Sequence, residues 1–456
     1  MTVAELEIDT ECVYISSIVL VHKGIYMSNE MALTKILPPD FDHLPTLKRW
    51  MMNAFAKIHH GTLFVHLDGQ CYACGNDDSM VAHLYIHQPL KMAWRCISKG
   101  DLGFAEAHIE GHWTSDDLTQ LLKLFLKNRS KLGNSYGGKS VLRTAANYYH
   151  KLRKNTLKGS RKNIQYHYDL GNDFYELWLD KSMTYSSALF DSTSSENRDS
   201  LQSEATNYNQ SLLKAQDNKY LRILSELGDE LNADNLATAD TSNKTILEVG
   251  FGWGGFAEKA LEKGYKVDGI TLSDEQLAYA QTRLENYESD LNLEIKDYRK
   301  VDQQYDHIVS IEMFEAVGEQ YWQTYFEMLK RSLKPGGKIV LQIITIKDEF
   351  YELYQRRADF IQRYIFPGGM LPSDNILNQL IDNNQLKTTS RLSFGHDYGE
   401  TLARWEYKFI DALPKLEPLG YDKKFQRMWL YYLGYCQAGF AEERIDVIQL
   451  TLEHAE

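Results

Sequence analysis

Short apolar runs alternate with helical patterns from about Lys244 onward, and this alternation restricts the fold more than any other feature of the sequence. It predicts an α/β fold in which a parallel sheet carries helices on both faces. In such sheets ligands bind beyond the carboxyl ends of the strands, near the point where the strand order reverses. The expected strands are residues 245–250, 266–272, 293–296, 307–312 and 338–346, separated by helical segments such as 274–287 and 321–333.

A glycine-rich turn follows the first of these strands, where Glu248 precedes Gly250, Gly252 and Gly254. Glycine permits a sharp turn and lets a ligand approach the backbone without interference from a Cβ. The spacing differs from the G-x-G-x-x-G of dinucleotide sites, and the preceding acid suits a ligand with a cationic aminoacyl group. The pattern indicates a nucleoside-cofactor site, with an ordinary tight strand–helix connection as the alternative.

Polar residues also follow the second and third strands. Thr271 and Gln276 flank the end of one, and Asp297 and Tyr298 follow the other. Because the carboxyl ends of parallel strands meet at one edge of a sheet, we expect these side chains to share a crevice with the glycine turn.

The length of 456 residues predicts two folded units with connecting segments. The first unit has the pattern of a small α+β domain, with strands at 62–67, 81–86 and 92–97 and a capped helix that opens at Ser115. The expected division is a tail at residues 1–40, an amino-terminal domain at 41–126, a basic linker at 127–165 and the α/β domain at 166–456.

Charge is distributed unevenly along the chain. The formal net charge of −13 disfavours nucleic acid as a general partner. Residues 118–168 nevertheless contain 12 lysines and arginines and no aspartate or glutamate. We expect this segment to contact an anionic membrane surface, with RNA binding or a solvated helix face as alternatives.

Apolar runs and cysteines indicate the compartment. No run approaches the roughly 18–20 apolar residues of a membrane span, and the short run at residues 15–21 follows acidic rather than basic residues. The five cysteines have no repeating spacing, which is typical of a reducing compartment. We therefore expect a cytoplasmic protein, and we interpret the lone pair Cys71 and Cys74 as structural, with no metal site.

Several further motifs surround the glycine turn in a fixed order. They are His167-Tyr168-Asp169-Leu170-Gly171-Asn172, Met183-Thr184-Tyr185-Ser186-Ser187-Ala188, Met313-Phe314-Glu315-Ala316-Val317-Gly318 and Phe366-Pro367-Gly368-Gly369-Met370. Together with the glycine turn they resemble the cyclopropane-fatty-acyl-phospholipid synthase family over about residues 163–456, and more loosely over residues 100–113. This resemblance implies a Rossmann-like class I methyltransferase domain with a mostly parallel seven-stranded sheet, preceded by a small lipid-associated α+β domain.

The resemblance also implies which residues bind S-adenosylmethionine. The expected set is Glu248, Gly250 and Gly252 around the methionine moiety, Thr271 and Gln276 at the nucleoside, Tyr298 beside the adenine, and Tyr185 and Ser186 from a preceding loop.

For the catalytic centre the resemblance implies Glu315 and Tyr398, with a bicarbonate ion as general base. The family holds that ion with a cysteine and a histidine at the positions of Ser187 and Gln342. Serine and glutamine still hydrogen-bond an oxyanion, but neither titrates near neutral pH as histidine does. We therefore expect an anion pocket at Glu315, Tyr398, Ser187 and Gln342, while a standard bicarbonate site does not follow from these residues.

The implied activity is methylene transfer from S-adenosylmethionine to the cis double bond of an unsaturated phospholipid acyl chain, which forms a cyclopropane fatty acid. An alkene is a poor nucleophile, so the reaction needs an activated donor, alignment and exclusion of water. Attack leaves a carbocation, and the carbon that then loses a proton decides the product. The alternatives are a C-methyltransferase giving methyl-branched or methylene chains, a small-molecule N-methyltransferase, and a non-catalytic lipid-binding protein.

The expected partners are phospholipid acyl chains, reached at the inner face of the membrane. The oligomeric state is open, with a homodimer as one expectation.

Overall fold

The computed structural model describes residues 36–37, 40–132, 170–191, 208–228, 243–357 and 359–455. The chain forms two compact units, which divide within the segment between residues 132 and 170. The predicted tail at 1–40 and most of the predicted basic linker at 127–165 lie outside the described residues. The domain boundaries drawn from the sequence therefore stay predictions.

The first unit is a five-stranded mixed sheet, in the order β1-β3-β2-β4-β5, packed against helices. The predicted strands at 62–67 and 81–86 are confirmed. The predicted helix after Ser115 is confirmed too, and its N-cap is Asp117, whose side chain accepts a hydrogen bond from the Gln120 backbone N–H at 2.8 Å. The strands are β1 (Ile36–Leu37), β2 (Thr62–Leu67), β3 (Gln70–Gly75), β4 (Val81–Ile86) and β5 (Trp113–Thr114), and the helices are α1 (Thr46–Phe55), α2 (Pro89–Lys99), α3 (Asp101–Ile109), α4 (Leu118–Lys127) and α5 (Arg129–Leu132).

The predicted strand at residues 92–97 is wrong, because this segment lies inside helix α2. Its buried residues Met92, Ala93 and Cys96 follow helical spacing, and Trp94 between them is 65% exposed. Periodicity cannot separate a strand from a buried helix turn in so short a run. Pro89 in the first turn, where a missing N–H has no consequence, was the better indicator of a helix.

The second unit is built on a seven-stranded sheet in the order β11-β12-β10-β9-β6-β7-β8. Strands β10, β9, β6, β7 and β8 pair with one another in parallel, and β12 pairs antiparallel with both β10 and β11. The predicted α/β architecture is confirmed. The strands are β6 (Thr245–Val249), β7 (Lys266–Thr271), β8 (Leu291–Ile295), β9 (Tyr305–Ile311), β10 (Leu333–Ile346), β11 (Leu386–Ser393) and β12 (Ile445–His454).

Helices cover both faces of this sheet. Alternate strand residues point to opposite faces, so Ile246 packs in a cluster with Tyr220 and Phe256, whereas Leu247 packs with Tyr325 and Leu377. The helices of this unit are α6 (Asn172–Glu176), α7 (Leu212–Glu226), α8 (Gly255–Glu262), α9 (Asp274–Arg283), α10 (Trp322–Ser332), α11 (Asp348–Arg356), α12 (Asp374–Asn383), α13 (Gly395–Leu416) and α14 (Lys423–Ala441).

Within the described part of the chain, no helix combines the length and the apolar character that a membrane crossing requires. Cys71 and Cys74 are buried in β3 and carry free thiols. The described residues contain no group of three or more His, Cys, Asp or Glu side chains arranged to hold a metal ion.

Candidate functional site

The glycine turn after β6 forms one wall of a pocket at the carboxyl edge of the sheet. Gly250 has a φ of 85°, and a Cβ on this residue would come within 2.9 Å of the Cγ of Met313. Gly252 has a φ of 54° and lines the pocket, and a Cβ on it would meet no atom within 4 Å. Both positions favour glycine because of their left-handed backbone. The turn therefore leaves its backbone open to a ligand.

The pocket brings together all eight residues predicted to bind S-adenosylmethionine. They come from the segment before α7, from the ends of β6 and β7, and from the segment that follows β8. Glu312 and Met313, which follow β9, complete this side of the pocket. The eight are Tyr185, Ser186, Glu248, Gly250, Gly252, Thr271, Gln276 and Tyr298.

Two of these residues present buried polar atoms that lack a partner. Neither Oε2 of Glu248 nor the hydroxyl of Tyr298 has a hydrogen-bond partner among the described residues. Because buried polar groups in proteins are normally paired, such atoms at a pocket indicate a ligand. Burial raises the pKa of Glu248 to about 8, against the effect of the nearby Arg283. A ligand ammonium group would supply the missing partner, so these residues fit the aminoacyl and nucleoside parts of S-adenosylmethionine.

Thr271 and Gln276 are fixed relative to each other at the end of β7. The Thr271 hydroxyl donates to Oε1 of Gln276 at 2.9 Å. The Gln276 backbone N–H in turn donates to the Ser273 hydroxyl at 3.3 Å, which caps α9. The cap therefore holds the Gln276 side chain at the pocket wall.

A second part of the site centres on Glu312, whose carboxylate accepts three hydrogen bonds. Its Oε1 accepts from the Ser187 backbone N–H at 2.8 Å and from Nε2 of Gln342 at 2.7 Å. Its Oε2 accepts from the Tyr398 hydroxyl at 2.6 Å. The Ser187 hydroxyl points elsewhere and donates to the Ala188 carbonyl at 3.0 Å. Three of the four residues predicted for the catalytic centre thus converge on a glutamate that the sequence motifs did not single out.

The fourth predicted catalytic residue, Glu315, lies one short turn further along the chain, in the 3-10 helix Phe314–Ala316. Its Oε1 accepts a hydrogen bond from the Ile344 backbone N–H. Its Oε2 is buried and has no partner among the described residues. Burial, followed by the charge of Glu312, raises the pKa of Glu315 to about 8. Glu315 is therefore mostly protonated at neutral pH, next to Glu312.

A chain of side-chain amides fixes the Gln342 donor that faces Glu312. Nε2 of Gln449 donates to Oε1 of Gln342 at 3.0 Å, and Nη1 of Arg222 donates to Oε1 of Gln449 at 2.6 Å. Because a guanidinium group only donates, Arg222 determines which end of each amide accepts. The Gln342 amide consequently presents its NH₂ group to the Glu312 carboxylate.

Lys219, on helix α7, is a fully buried lysine in the same region. Its Nζ donates to the Ser186 hydroxyl at 2.6 Å. Burial lowers its pKa to about 7, while the charges of Glu312 and Asp180 act in the opposite direction. Lys219 therefore carries part of a positive charge at neutral pH and interacts electrostatically with Glu312 and Asp180.

Sequence reasoning missed both Glu312 and Lys219. For Glu312 a usable signal existed, since an acidic residue at the carboxyl end of a predicted central strand lies where ligands bind. For Lys219 the local sequence carries no such signal, because its pattern is that of any lysine on an amphipathic helix.

The fold and the pocket define the class of the protein. A mostly parallel seven-stranded sheet with an antiparallel β12, and a glycine turn after its first parallel strand, is the architecture of class I S-adenosylmethionine-dependent methyltransferases. Residues 155–450 match the family model described as mycolic acid cyclopropane synthetase, and the chain belongs to this family.

Individual relatives agree with this assignment. The chain is 33% identical to the tuberculostearic acid methyltransferase of Mycobacterium tuberculosis over 393 residues, covering 85% of this chain and 86% of that protein. It is 31% identical to the cyclopropane-fatty-acyl-phospholipid synthase of Escherichia coli over 362 residues, covering 78% and 84%. Among solved structures, a mycolic acid cyclopropane synthase in complex with SAH and CTAB matches with a TM-score of 0.56 and 29% identity, covering 64% of this chain and 97% of that one.

Proposed function

We propose that this methyltransferase adds a methylene group from S-adenosylmethionine to the cis double bond of an unsaturated phospholipid acyl chain and so forms a cyclopropane fatty acid. The observation that carries the proposal is the carboxylate of Glu312 at the pocket wall, with the buried Glu315 close to it. Ring closure requires a base that removes a carbon-bound proton, and a carboxylate that lines the pocket can accept it. Family membership and the name of the Escherichia coli relative support the same substrate class.

The residues of the pocket have separate tasks in this reaction. S-adenosylmethionine supplies an electrophilic methyl group on its sulfonium. Glu248, Tyr298 and the glycine turn bind and orient the donor, and the buried surroundings exclude water. Glu312 lines the pocket and also accepts hydrogen bonds from Gln342 and Tyr398, which lie behind it. Its carboxylate can therefore accept a proton from a substrate that lies next to the methyl donor.

Aromatic side chains surround the same region and suit a reaction that passes through a carbocation. Tyr185 lines the pocket and stands 5.5 Å from Tyr175 and 5.3 Å from Trp405, measured between ring centroids. Its hydroxyl bonds that of Tyr432 at 2.8 Å. A ring face next to a desolvated cation stabilises it by about 2 kcal/mol. Tyr185 is therefore placed where its ring can stabilise a carbocation on a substrate that lies next to the cofactor.

We further propose that the enzyme acts at the surface of an anionic membrane, on its cytoplasmic face. About ten methylenes drawn into water would cost roughly 8 kcal/mol at 0.8 kcal/mol each, so the acyl chain must pass directly from bilayer to protein. The 12 basic residues between positions 118 and 168 provide the attraction. A homodimer stays a prediction.

The test is to incubate the protein with methyl-labelled S-adenosylmethionine and vesicles that contain a cis-unsaturated phospholipid. We expect label in the acyl chains and cyclopropane protons in the NMR spectrum of the extracted lipid. A cyclopropane and a methylene-bearing chain share a mass, so NMR rather than intact mass decides between them. Methyl-branched or methylene products would favour the C-methyltransferase alternative, and label that never reaches lipid would refute the proposal.

A further inference from the structure

The position that the family resemblance assigns to bicarbonate is filled here by a side chain. The resemblance places that ion among Ser187, Glu315, Gln342, Tyr398 and backbone amides. In the structure, donors from Ser187, Gln342 and Tyr398 all meet the carboxylate of Glu312. The Ile344 amide donates to Glu315. These residues therefore do not fit a free anion.

We propose that Glu312 is the built-in general base of the reaction and that the enzyme works without bicarbonate. This inference rests on the proposed function, and it goes beyond it by naming the base and its origin. The inference rests on two observations. Glu312 accepts three hydrogen bonds, and its side chain also lines the cofactor pocket.

The backbone conformation at position 312 indicates that a glutamate is present there for a functional reason. Its φ is 50°, in the left-handed region that favours glycine. A non-glycine residue there costs roughly 1–2 kcal/mol. Such strain persists mainly where the surrounding structure and the function require it. A glycine would fit this backbone without strain, so the glutamate is retained at a position where its presence is unfavourable for folding.

The hydrogen bonds around Glu312 distinguish it from Glu315. Burial raises the pKa of Glu312, and the three donors together with the charge of Lys219 oppose that rise. Burial and then the charge of Glu312 raise the pKa of Glu315, whose Oε2 has no partner among the described residues, so Glu315 holds its proton more strongly than an ordinary glutamate. Paired carboxyl groups in unlike surroundings commonly divide acid and base roles in this way.

The step that Glu312 performs is balanced without a further reactant. After methyl transfer, the former alkene carries a new methyl group on one carbon and a positive charge on the neighbouring carbon. A C–H bond of that methyl breaks, its electron pair forms the second carbon–carbon bond of the ring, and the proton passes to the Glu312 carboxylate. The products of the turnover are the cyclopropane, the demethylated donor and a protonated Glu312, which then loses its proton to water.

Two substitutions of Glu312 distinguish the loss of a general base from a disturbance of the fold. Glu312→Gln keeps the shape of the side chain and removes its basicity. Glu312→Gly removes the carboxylate, relieves the backbone and leaves the donors of Ser187, Gln342 and Tyr398 around an empty space. Without bicarbonate we expect both variants to lose activity by about 100-fold to 10,000-fold. Added bicarbonate should restore about tenfold or more of the loss in Glu312→Gly and nothing in Glu312→Gln.

A binding measurement provides a second readout that does not depend on turnover. Bicarbonate should raise the thermal midpoint of Glu312→Gly, compared with chloride at equal ionic strength, because an anion that binds the folded state stabilises it. The midpoint of the wild-type protein should not respond. Glu319→Gln, an exposed change nearby, is the matched control and should behave as wild type.

The outcomes are separable from those of the proposed function. Wild-type activity that falls in carbon-dioxide-free buffer and returns with bicarbonate would overturn the inference, as would full activity in Glu312→Gln. If wild type labels no lipid at all, the proposed function fails. The thermal measurement would then still test the inference about Glu312. If bicarbonate raised the thermal midpoints of wild type and Glu312→Gly equally, Glu312 would not occupy the anion position.

Discussion

The buried carboxyl groups of the site differ in the hydrogen bonds that they accept. Glu248 and Glu315 each have a buried oxygen with no partner in the described parts of the chain, and burial raises the pKa of both to about 8. Glu312 instead accepts three hydrogen bonds, which oppose the effect of burial on its pKa. The three glutamates therefore have unlike surroundings within one site, which is the arrangement that separates acid and base roles.

Ligand binding should release the proton that Glu248 holds. At pH 7 a carboxyl group with a pKa of about 8 is mostly protonated, and the ammonium group of bound S-adenosylhomocysteine would lower that pKa. We expect release of about one proton per ligand at pH 7, falling toward zero near pH 9, with affinity rising over the same range. Titration calorimetry at pH 7 in buffers of different ionisation enthalpy measures the release. Glu248→Gln should show less of it, and an equal release would contradict the assignment.

Glu315→Gln should separate catalysis from cofactor binding. The amide keeps an acceptor for the Ile344 N–H but cannot exchange a proton beside Glu312. We expect kcat to fall by about 100-fold or more, with the affinity for S-adenosylhomocysteine retained. Steady-state turnover and calorimetry on the same preparation test this. Glu319→Gln, exposed in the same segment, is the control, and near-normal turnover in Glu315→Gln would remove Glu315 from the catalytic centre.

Sequence reasoning anticipated the residues that share the pocket more fully than the contacts around Glu312. Glu248, Gly250 and Thr271 lie at strand ends, where topology alone brings them to one edge of the sheet. Which groups contact one another behind the pocket depends on side-chain packing between distant segments. The contact of Tyr398 with Glu312 spans 86 positions, and no local pattern encodes it.

At the scale of elements, α7 supplies one polar face to the site. Gln216, Lys219 and Arg222 are spaced by three residues, so they lie along the same side of the helix. Gln216 donates to the Ser186 carbonyl at 3.0 Å and Lys219 to the Ser186 hydroxyl, whereas Arg222 starts the amide chain that ends on Glu312. The helix therefore positions both the segment at Ser186 and, through the two amides, Glu312.

Arg222→Met should disturb this positioning without unfolding the protein. With its guanidinium gone, the Gln449 and Gln342 amides are free to reverse, and a carbonyl oxygen facing Glu312 would raise the pKa of that carboxyl. We expect kcat to fall by about 10-fold to 100-fold. We also expect the acid limb of its pH profile to move to higher pH, with Lys219, Glu315 and Tyr398 as the other titratable groups that face Glu312.

The shift of the acid limb is the deciding readout, because a merely structural loss would lower the whole profile. Arg391→Met is the control, because Arg391 is an exposed residue of β11 whose guanidinium pairs with Asp374. A profile that is lowered but not displaced would make Arg222 a structural residue only.

Elements were predictable where their pattern was strong. Strands β6, β7 and β9 are apolar runs that end in turn signals, and all were found with small shifts at their ends. Strand β11 was missed because its sequence is largely polar and exposed. Strand β12 closes the sheet against β10 from more than a hundred residues away, and its position follows from tertiary pairing rather than from local sequence.

For the whole molecule, the charge distribution predicts where the enzyme works. The chain is acidic overall, yet residues 118–168 carry only positive charge. Most of this segment lies outside the described residues, so the expectation rests on its composition. An acidic protein with one basic segment should approach an anionic bilayer in a preferred orientation, since the rest of its surface is repelled.

Neutralising five basic residues of that segment should weaken membrane binding. Each contributes roughly 1 kcal/mol near an anionic surface, so we expect the affinity for vesicles of phosphatidylglycerol and phosphatidylcholine to fall by about 100-fold or more. Cosedimentation at several salt concentrations measures both the affinity and its electrostatic part. The five changes, each to glutamine, are at Arg153, Lys154, Lys158, Arg161 and Lys162.

A control set with the same change in net charge separates a local effect from a general one. Five exposed lysines of the second unit serve this purpose, namely Lys300, Lys387, Lys415, Lys423 and Lys424. Their replacement by glutamine changes the net charge equally, so long-range repulsion from the bilayer changes by a similar amount in both variants. If only the basic segment makes contact, the control should bind almost as wild type and keep its salt dependence. Equal losses in the two variants would mean that net charge, rather than this segment, brings the enzyme to its lipid.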